Sequence, residues 1–299
     1  MRFLLAILMS ALLACGAPPE DVAADSSPIE EIGPETRLMV IQTLGFAKIQ
    51  EDGTAPGFDV DGVVSEKGDP KTCGHKDLIS PEGTEGIDNQ LASLVPLLEL
   101  AGLGAAEGLL QSTIEDGGIL IMIEVDGIDD PYNDDEVSVM VRAGQGVPLL
   151  GTDGLVLSGQ TFDLHAESPD SQSENARIVD GVLLAGPFEA RLPLVVFGMT
   201  YELTLYDAQI RADVTDDGGL ANGLMGGGVS ISDLYAIGET AAKDDASVLS
   251  AIKLVVGGAG DLLPDDEGKC QRISAALEFG AVSAYFYPEK REQDNQADE

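Results

Sequence analysis

Apolar residues along most of this chain recur with a period of two, which is the period of strands. The clearest instance is Thr200–Val214, where Tyr201, Leu203 and Leu205 share one face. Ala208, Ile210, Ala212 and Val214 then continue the alternation one residue out of phase. A slip of one residue is what an extra, unpaired residue produces, so a β-bulge is expected at Asp207-Ala208. Asp216-Asp217-Gly218-Gly219 reads as the turn into a further strand over Leu220–Ser230. Upstream, Ile119–Val125 is an apolar run of the buried-strand type, and Val137–Arg142 alternates as a half-buried strand does. Gly154–His165, Ala176–Leu184 and Pro187–Phe197 are also read as strands. The last strand is placed at Ile273–Phe286, with Ile273, Ala275, Leu277 and Phe279 inward.

Helical periodicity is rarer. Leu91, Leu94, Val95, Leu98, Ala105 and Leu109 fall at helical spacing behind Asp88, which is read as the N-cap, and Pro96 and Gly102 should kink or divide that helix. Asp245–Val256 gives a second helix, with Gly257 as its stop, and Ser232–Thr240 a shorter third. No period of 20–50 residues repeats. The pattern predicts a mainly β domain, an antiparallel sandwich or barrel with two or three inserted helices.

Charge narrows the partners. With 53 acidic against 16 basic residues the chain carries a formal charge of −37, which repels nucleic acid and anionic headgroups. Hydrophobic residues make up 44% of the chain, enough for a folded core, so the acidity belongs to a globular surface.

The N-terminus departs from the strand pattern. Met1-Arg2 precedes an apolar run to Ala14 interrupted only by Ser10, too short for a membrane-spanning helix, and Leu12-Leu13-Ala14-Cys15 follows the layout of a cleavage site. This segment resembles the lipobox signal of bacterial lipoproteins. The resemblance implies removal of residues 1–14, a diacylglyceryl group on Cys15, and membrane attachment through that lipid. Gly16 in place of a retaining Asp implies the outer membrane as destination. Residues 15–36 are acidic and proline-bearing without periodicity and read as a tether; roughly 19 flexible residues would reach on the order of 25 Å. The β-rich domain is placed at residues 37–287 and a disordered polar tail at 288–299.

With Cys15 assigned to lipid, Cys73 and Cys270 permit one intramolecular disulfide in an oxidising compartment. It would close a loop of about 200 residues, for which chain entropy gives on the order of 5 kcal/mol. The cluster Cys73-Gly74-His75 has no second ligand pair at zinc spacing.

Two segments concentrate hard oxygen ligands. Gly57-Phe58-Asp59-Val60-Asp61-Gly62 is followed at a distance by Asp77 and by Gly86-Ile87-Asp88-Asn89-Gln90. The second runs from Asp126 to Glu136 and contains Asp129, Asp130, Asn133, Asp134 and Asp135. Calcium takes six to eight oxygens from carboxylates, amides and backbone carbonyls held in turns, so Asp59, Asp61, Asp88, Asp129, Asp130, Asn133, Asp134 and Asp135 are its candidate ligands. Neither segment meets the full EF-hand loop pattern. Two plainer readings stand beside this one: Asx turns for Asp59 and Asp61, and a solvated acidic hairpin loop for the second segment. The stretch GFDVDG…CGHKD…GIDNQ, with DDPYNDDEV, resembles uncharacterised exported bacterial lipoproteins carrying a GFDxDG…GIDNQ segment, which implies a shared domain and no particular activity.

Nucleophilic motifs are missing. Gly228-Val-Ser230-Ile-Ser232 lacks the closing glycine of G-x-S-x-G, and Ser250-Ala-Ile-Lys253 sits in a simple amphipathic helix. His75 and His165 show no H-E-x-x-H spacing, and no pair of carboxylates is singled out for glycosidase chemistry. The glycines at 226–228 point to a bulge or close backbone packing. No Trp is present, and Tyr132 is the one aromatic placed to serve as a sugar platform. The expectation is a lipid-anchored, non-catalytic binding or structural module of the cell envelope with a structural calcium ion and a protein or glycan partner. The alternatives are a metal-dependent hydrolase using the acidic loops or a carbohydrate-binding surface module.

Overall fold

The computed structural model describes residues 35–98, 106–165, 168–169, 171–196, 199–242 and 246–287. The signal, Cys15, most of the tether, the polar tail, Gly102 and Ala105 lie outside the described residues. In chain order the strands and helices are β1 (Glu35–Phe46), β2 (Leu78–Ile79), β3 (Glu85–Ile87), α1 (Gln90–Leu98), α2 (Ala106–Glu115), β4 (Ile121–Ile128), β5 (Asp134–Gln145) and β6 (Gln160–Leu164). They continue with β7 (Ser171–Val179), β8 (Val182–Val196), β9 (Met199–Val214), β10 (Leu220–Ser230), α3 (Ile231–Ala242), α4 (Ala246–Gly258), β11 (Leu262–Pro264) and β12 (Cys270–Tyr287).

Eight strands close into an antiparallel barrel in the order β1-β4-β5-β7-β8-β9-β10-β12, with β12 pairing back onto β1. Closure leaves no free edge in the ring. β6 lies outside it, antiparallel to the end of β5 and parallel to β12 from Ala284 to Tyr287. At eight strands a barrel interior is just wide enough for side chains to fill. Here Met39, Ile41, Met122, Ile123, Ile178, Leu183 and Ile210, each almost wholly buried, belong to the main core. Truncating one of them to alanine costs about 2–5 kcal/mol. Among the described residues no helix is long and apolar enough to cross a membrane.

The expected bulge is present. Asp207 has φ 54°, and the β9–β10 register jumps from Gln209↔Gly226 to Tyr206↔Gly228. Opposite it, a Cβ on Gly227 would meet the Tyr206 carbonyl oxygen at 2.6 Å, so the buried glycines of β10 serve close strand packing.

Other expectations are corrected. Ala176–Leu184 is two strands, because Asp180 and Gly181, with φ 51° and 79°, form the tight turn between β7 and β8. Of the residues Pro187–Phe197 assigned to a strand of their own, those up to Val196 continue β8, and Phe197 lies outside the described residues. β1 carries no alternation because Met39, Val40 and Ile41 are all buried: one face fills the barrel and the other is covered. α1 is capped by Asn89, whose Oδ1 accepts from Ala92 N at 3.3 Å; Asp88 is spent elsewhere. Pro96 lies within α1, and α2 begins at Ala106. The helices number four among the described residues, all as inserts on the barrel.

Candidate metal centre

Residues 47–89 form an insert between β1 and α1 that packs on the barrel's outer wall. Phe58 anchors it: its ring lies against Gly226 of β10 and beside the buried cluster of Ala47, Leu224 and Ala276. Gln209 Nε2 donates to the Asp59 carbonyl at 3.1 Å. A two-residue bridge pairs Phe58 with Asp88, which brings the two halves of the acidic motif together. Asn89, also buried, fixes the junction by donating to Ala47 O at 2.9 Å and Pro56 O at 2.8 Å. The disulfide Cys73–Cys270, with Cα atoms 5.9 Å apart, ties the insert's midpoint to the first residue of β12.

The result is a convergence of Asp59, Asp61 and Asp88, each offering a carboxylate oxygen within 4.8 Å of the others. One oxygen of each orders the backbone. Asp59 Oδ1 accepts from Gly62 N at 2.7 Å, and Asp61 Oδ1 accepts from Val63 N at 2.8 Å. Asp88 Oδ2 accepts from Val60 N at 2.7 Å and Asp61 N at 3.2 Å. These are the Asx turns anticipated from sequence, and they leave the second oxygens for another purpose. Asp88 is only 2% exposed, and its Oδ1 is buried without a hydrogen-bond partner. A buried acceptor left this way costs about 1–3 kcal/mol, more when charged.

Electrostatics point the same way. Burial pushes the Asp88 carboxyl up to about 8 against the opposing bond from Val60 N–H, and Asp61 and Asp77 add like-charge repulsion. Burial also raises Asp61, with Asp59 contributing, and raises Asp77, which accepts from Ser65 N at 2.5 Å. Carboxylates this close reject a common ionised state unless a cation or a proton sits among them. The cluster can therefore hold a metal ion. Asp77, noted in the sequence only as a neighbour of the motif, is a further charge acting on this site, and its pairing with Ser65 became visible only with the fold.

The second acidic segment is built differently. Asp129, Asp130, Asn133, Asp134 and Asp135 are not brought into a ligand cluster among the described residues; they form the hairpin connecting β4 and β5. Asp134 Oδ2 accepts from Asp129 N and Asp130 N at 2.7 and 3.3 Å, and its Oδ1 from Glu136 N at 3.0 Å. Asp130 Oδ1 accepts from Tyr132 N at 2.8 Å. Asn133 Oδ1 accepts from Asp180 N, and Gly181 N donates to the Tyr132 carbonyl, so this hairpin docks on the β7–β8 turn. These oxygens close turns in solvent, where carboxylates need no cation. Tyr132 is 59% exposed at that dock, beside Gly181.

Asp261 is a separate buried acid, 5% exposed. It accepts from Ser274 N at 2.7 Å and from the Ser274 hydroxyl, and Ser274 Oγ in turn accepts from Gln90 N at 2.7 Å at the start of α1. Burial pushes Asp261 up to about 7, against the two Ser274 bonds.

The fold and site together define a closed antiparallel barrel carrying a disulfide-tied insert with a three-aspartate cluster. Comparison with protein-family models, curated proteins and solved structures finds no match.

Proposed function

We propose that this chain is a lipid-anchored, non-catalytic module of the cell envelope whose Asp59–Asp61–Asp88 cluster binds calcium as a structural ion. The observation that carries the ion is the buried Oδ1 of Asp88, unpaired beside two further carboxylates. Calcium suits this donor set because it takes hard oxygens at flexible geometry, and the three carboxylates would supply part of its six to eight ligands. The ion's role is to fix the insert to the barrel, since the same aspartates organise the insert's backbone. Anchoring rests on Leu12-Leu13-Ala14-Cys15, and the disulfide suits an exported protein.

Melting of the purified protein tests the ion. At a hundredfold excess over Kd, calcium adds about 2.7 kcal/mol, so the melting temperature rises by several degrees and falls back with chelator. Sodium at equal ionic strength giving the same rise would reduce the effect to screening of an acidic surface. Anchoring is tested by detergent partitioning: Cys15→Ser should leave the membrane fraction, and partitioning like wild type would reject the lipid.

A further inference from the structure

The insert also walls a cleft. Between residues 50–82 and the outer face of β1, β10 and β12 lies an open cavity of about 900 Å³, within the size range of small-ligand sites. Its floor is bare of side chains where Gly45, Gly223 and Gly280 fall on three adjacent strands. At Gly223 the Phe279 ring of the main core packs so closely that a Cβ would meet it at 2.6 Å; that ring faces the barrel interior, so the floor of the cleft is backbone.

The rim is planar and polar. Gln42 Nε2 donates to Val156 O at 2.6 Å, Gln111 Nε2 to Gln42 O at 3.2 Å, and Asn222 Nδ2 to Asp213 Oδ2 at 2.7 Å. Each amide is thereby held in one orientation, with its carbonyl as an acceptor. Arg211 supplies the cleft's fork of donors, and Glu82 and Glu278 supply further acceptors. Among the described residues of the lining, Glu82, Asp217 and Glu278 outnumber the cation Arg211, which disfavours an anionic ligand and leaves a cation as the competing occupant for the test to exclude. A wholly apolar ligand would strand these polar groups without partners. The amides held with their carbonyls facing out favour a neutral molecule dense in hydroxyls.

We propose that this cleft binds a neutral oligosaccharide, its vicinal hydroxyls paired by the fixed amides, Arg211 and Glu278, and one ring laid on the glycine floor. The proposal does not depend on the calcium site, and it places the sugar away from Tyr132.

The test is titration of the full protein with neutral tetrasaccharides of glucose, xylose and N-acetylglucosamine, followed by NMR at the backbone amides of Gly45, Gly223 and Gly280. At least one sugar should give saturable shifts at these amides. Arg211→Ala should weaken that binding roughly tenfold, the loss of one charge-assisted hydrogen-bonding group. Gly280→Leu should abolish it by filling the floor; its Cβ would press only on Thr43 Oγ1, at 3.0 Å, with the nearest backbone atom at 3.9 Å, so the fold is spared. No shift with any of the three sugars, or shifts that persist in Gly280→Leu, would overturn the proposal. Saturation by spermine or glucose 6-phosphate in their place would overturn the neutral class.

Discussion

The substitution Asp88→Asn should stabilise the calcium-free protein and lose most or all of that advantage when calcium is added. The amide oxygen of the new side chain can accept from Val60 N and Asp61 N as Oδ2 does now, so the backbone clamp survives. The amide nitrogen takes the place of the unpaired Oδ1 and donates toward Asp59 and Asp61, where a carboxylate could only repel. Without calcium, above about pH 8, where Asp88 carries its charge, the variant should therefore gain about 1–3 kcal/mol, the cost of a buried acceptor left unmade. With calcium at a hundredfold excess over Kd, wild type gains about 2.7 kcal/mol, whereas the variant, short of one charged ligand, gains well under half of that. The assay is urea unfolding followed by far-ultraviolet circular dichroism, since the chain has no Trp to report by fluorescence. Equal destabilisation of Asp88→Asn with and without calcium would reduce Asp88 to a backbone clamp. An undiminished calcium response in the variant would remove it from the ion site.

Three further outcomes follow from other parts of the molecule. Asp261 keeps its proton in the folded protein up to about pH 7 but loses it near 4 when unfolded, so the folded state binds more protons between those values. Stability then falls as pH rises from about 4 to 7, by up to about 1.4 kcal/mol per unit, and Asp261→Asn should flatten that part of the calcium-free profile; an unchanged slope would contradict the buried-acid account. Cys73→Ser with Cys270→Ser should cost about 2–5 kcal/mol in urea unfolding, and a loss below about 1 kcal/mol would mean that the insert holds without its covalent tie. Asp134→Ala should loosen the β4–β5 hairpin by about 1 kcal/mol, by removing the acceptor of three backbone N–H groups, while leaving the calcium response intact; loss of that response would move the ion to the second loop.

The sequence is most legible where one physical constraint acts alone. The phase slip at Asp207 marks the bulge because both faces of β9 alternate cleanly around it. Cys73 and Cys270 could be paired by arithmetic. β1 hides because burial on both faces erases the alternation that marks a strand, and an apolar run then reads as nothing in particular. The Asp180-Gly181 turn carried its signal, a strong two-residue hairpin pair, yet lay inside a longer apolar stretch that invited a single strand. Acid density alone could not separate the two acidic loops. What separates them is burial: Asp88 is carried under the insert by its bridge to Phe58, while the Asp134 hairpin stays in water and satisfies its oxygens with its own backbone. Asn89 takes the cap that the pattern assigns to Asp88 for the same reason, one residue of register deciding which side chain faces the cluster.

The most direct test is anomalous diffraction from crystals of the protein grown in calcium. The account predicts one strong peak coordinated by Asp59, Asp61 and the Oδ1 of Asp88 at about 2.3–2.6 Å, with none at the Asp129–Asp135 hairpin. A calcium-grown crystal without a peak there, or with the Asp88 carboxyl hydrogen-bonded to a neighbouring aspartate in its place, would contradict it.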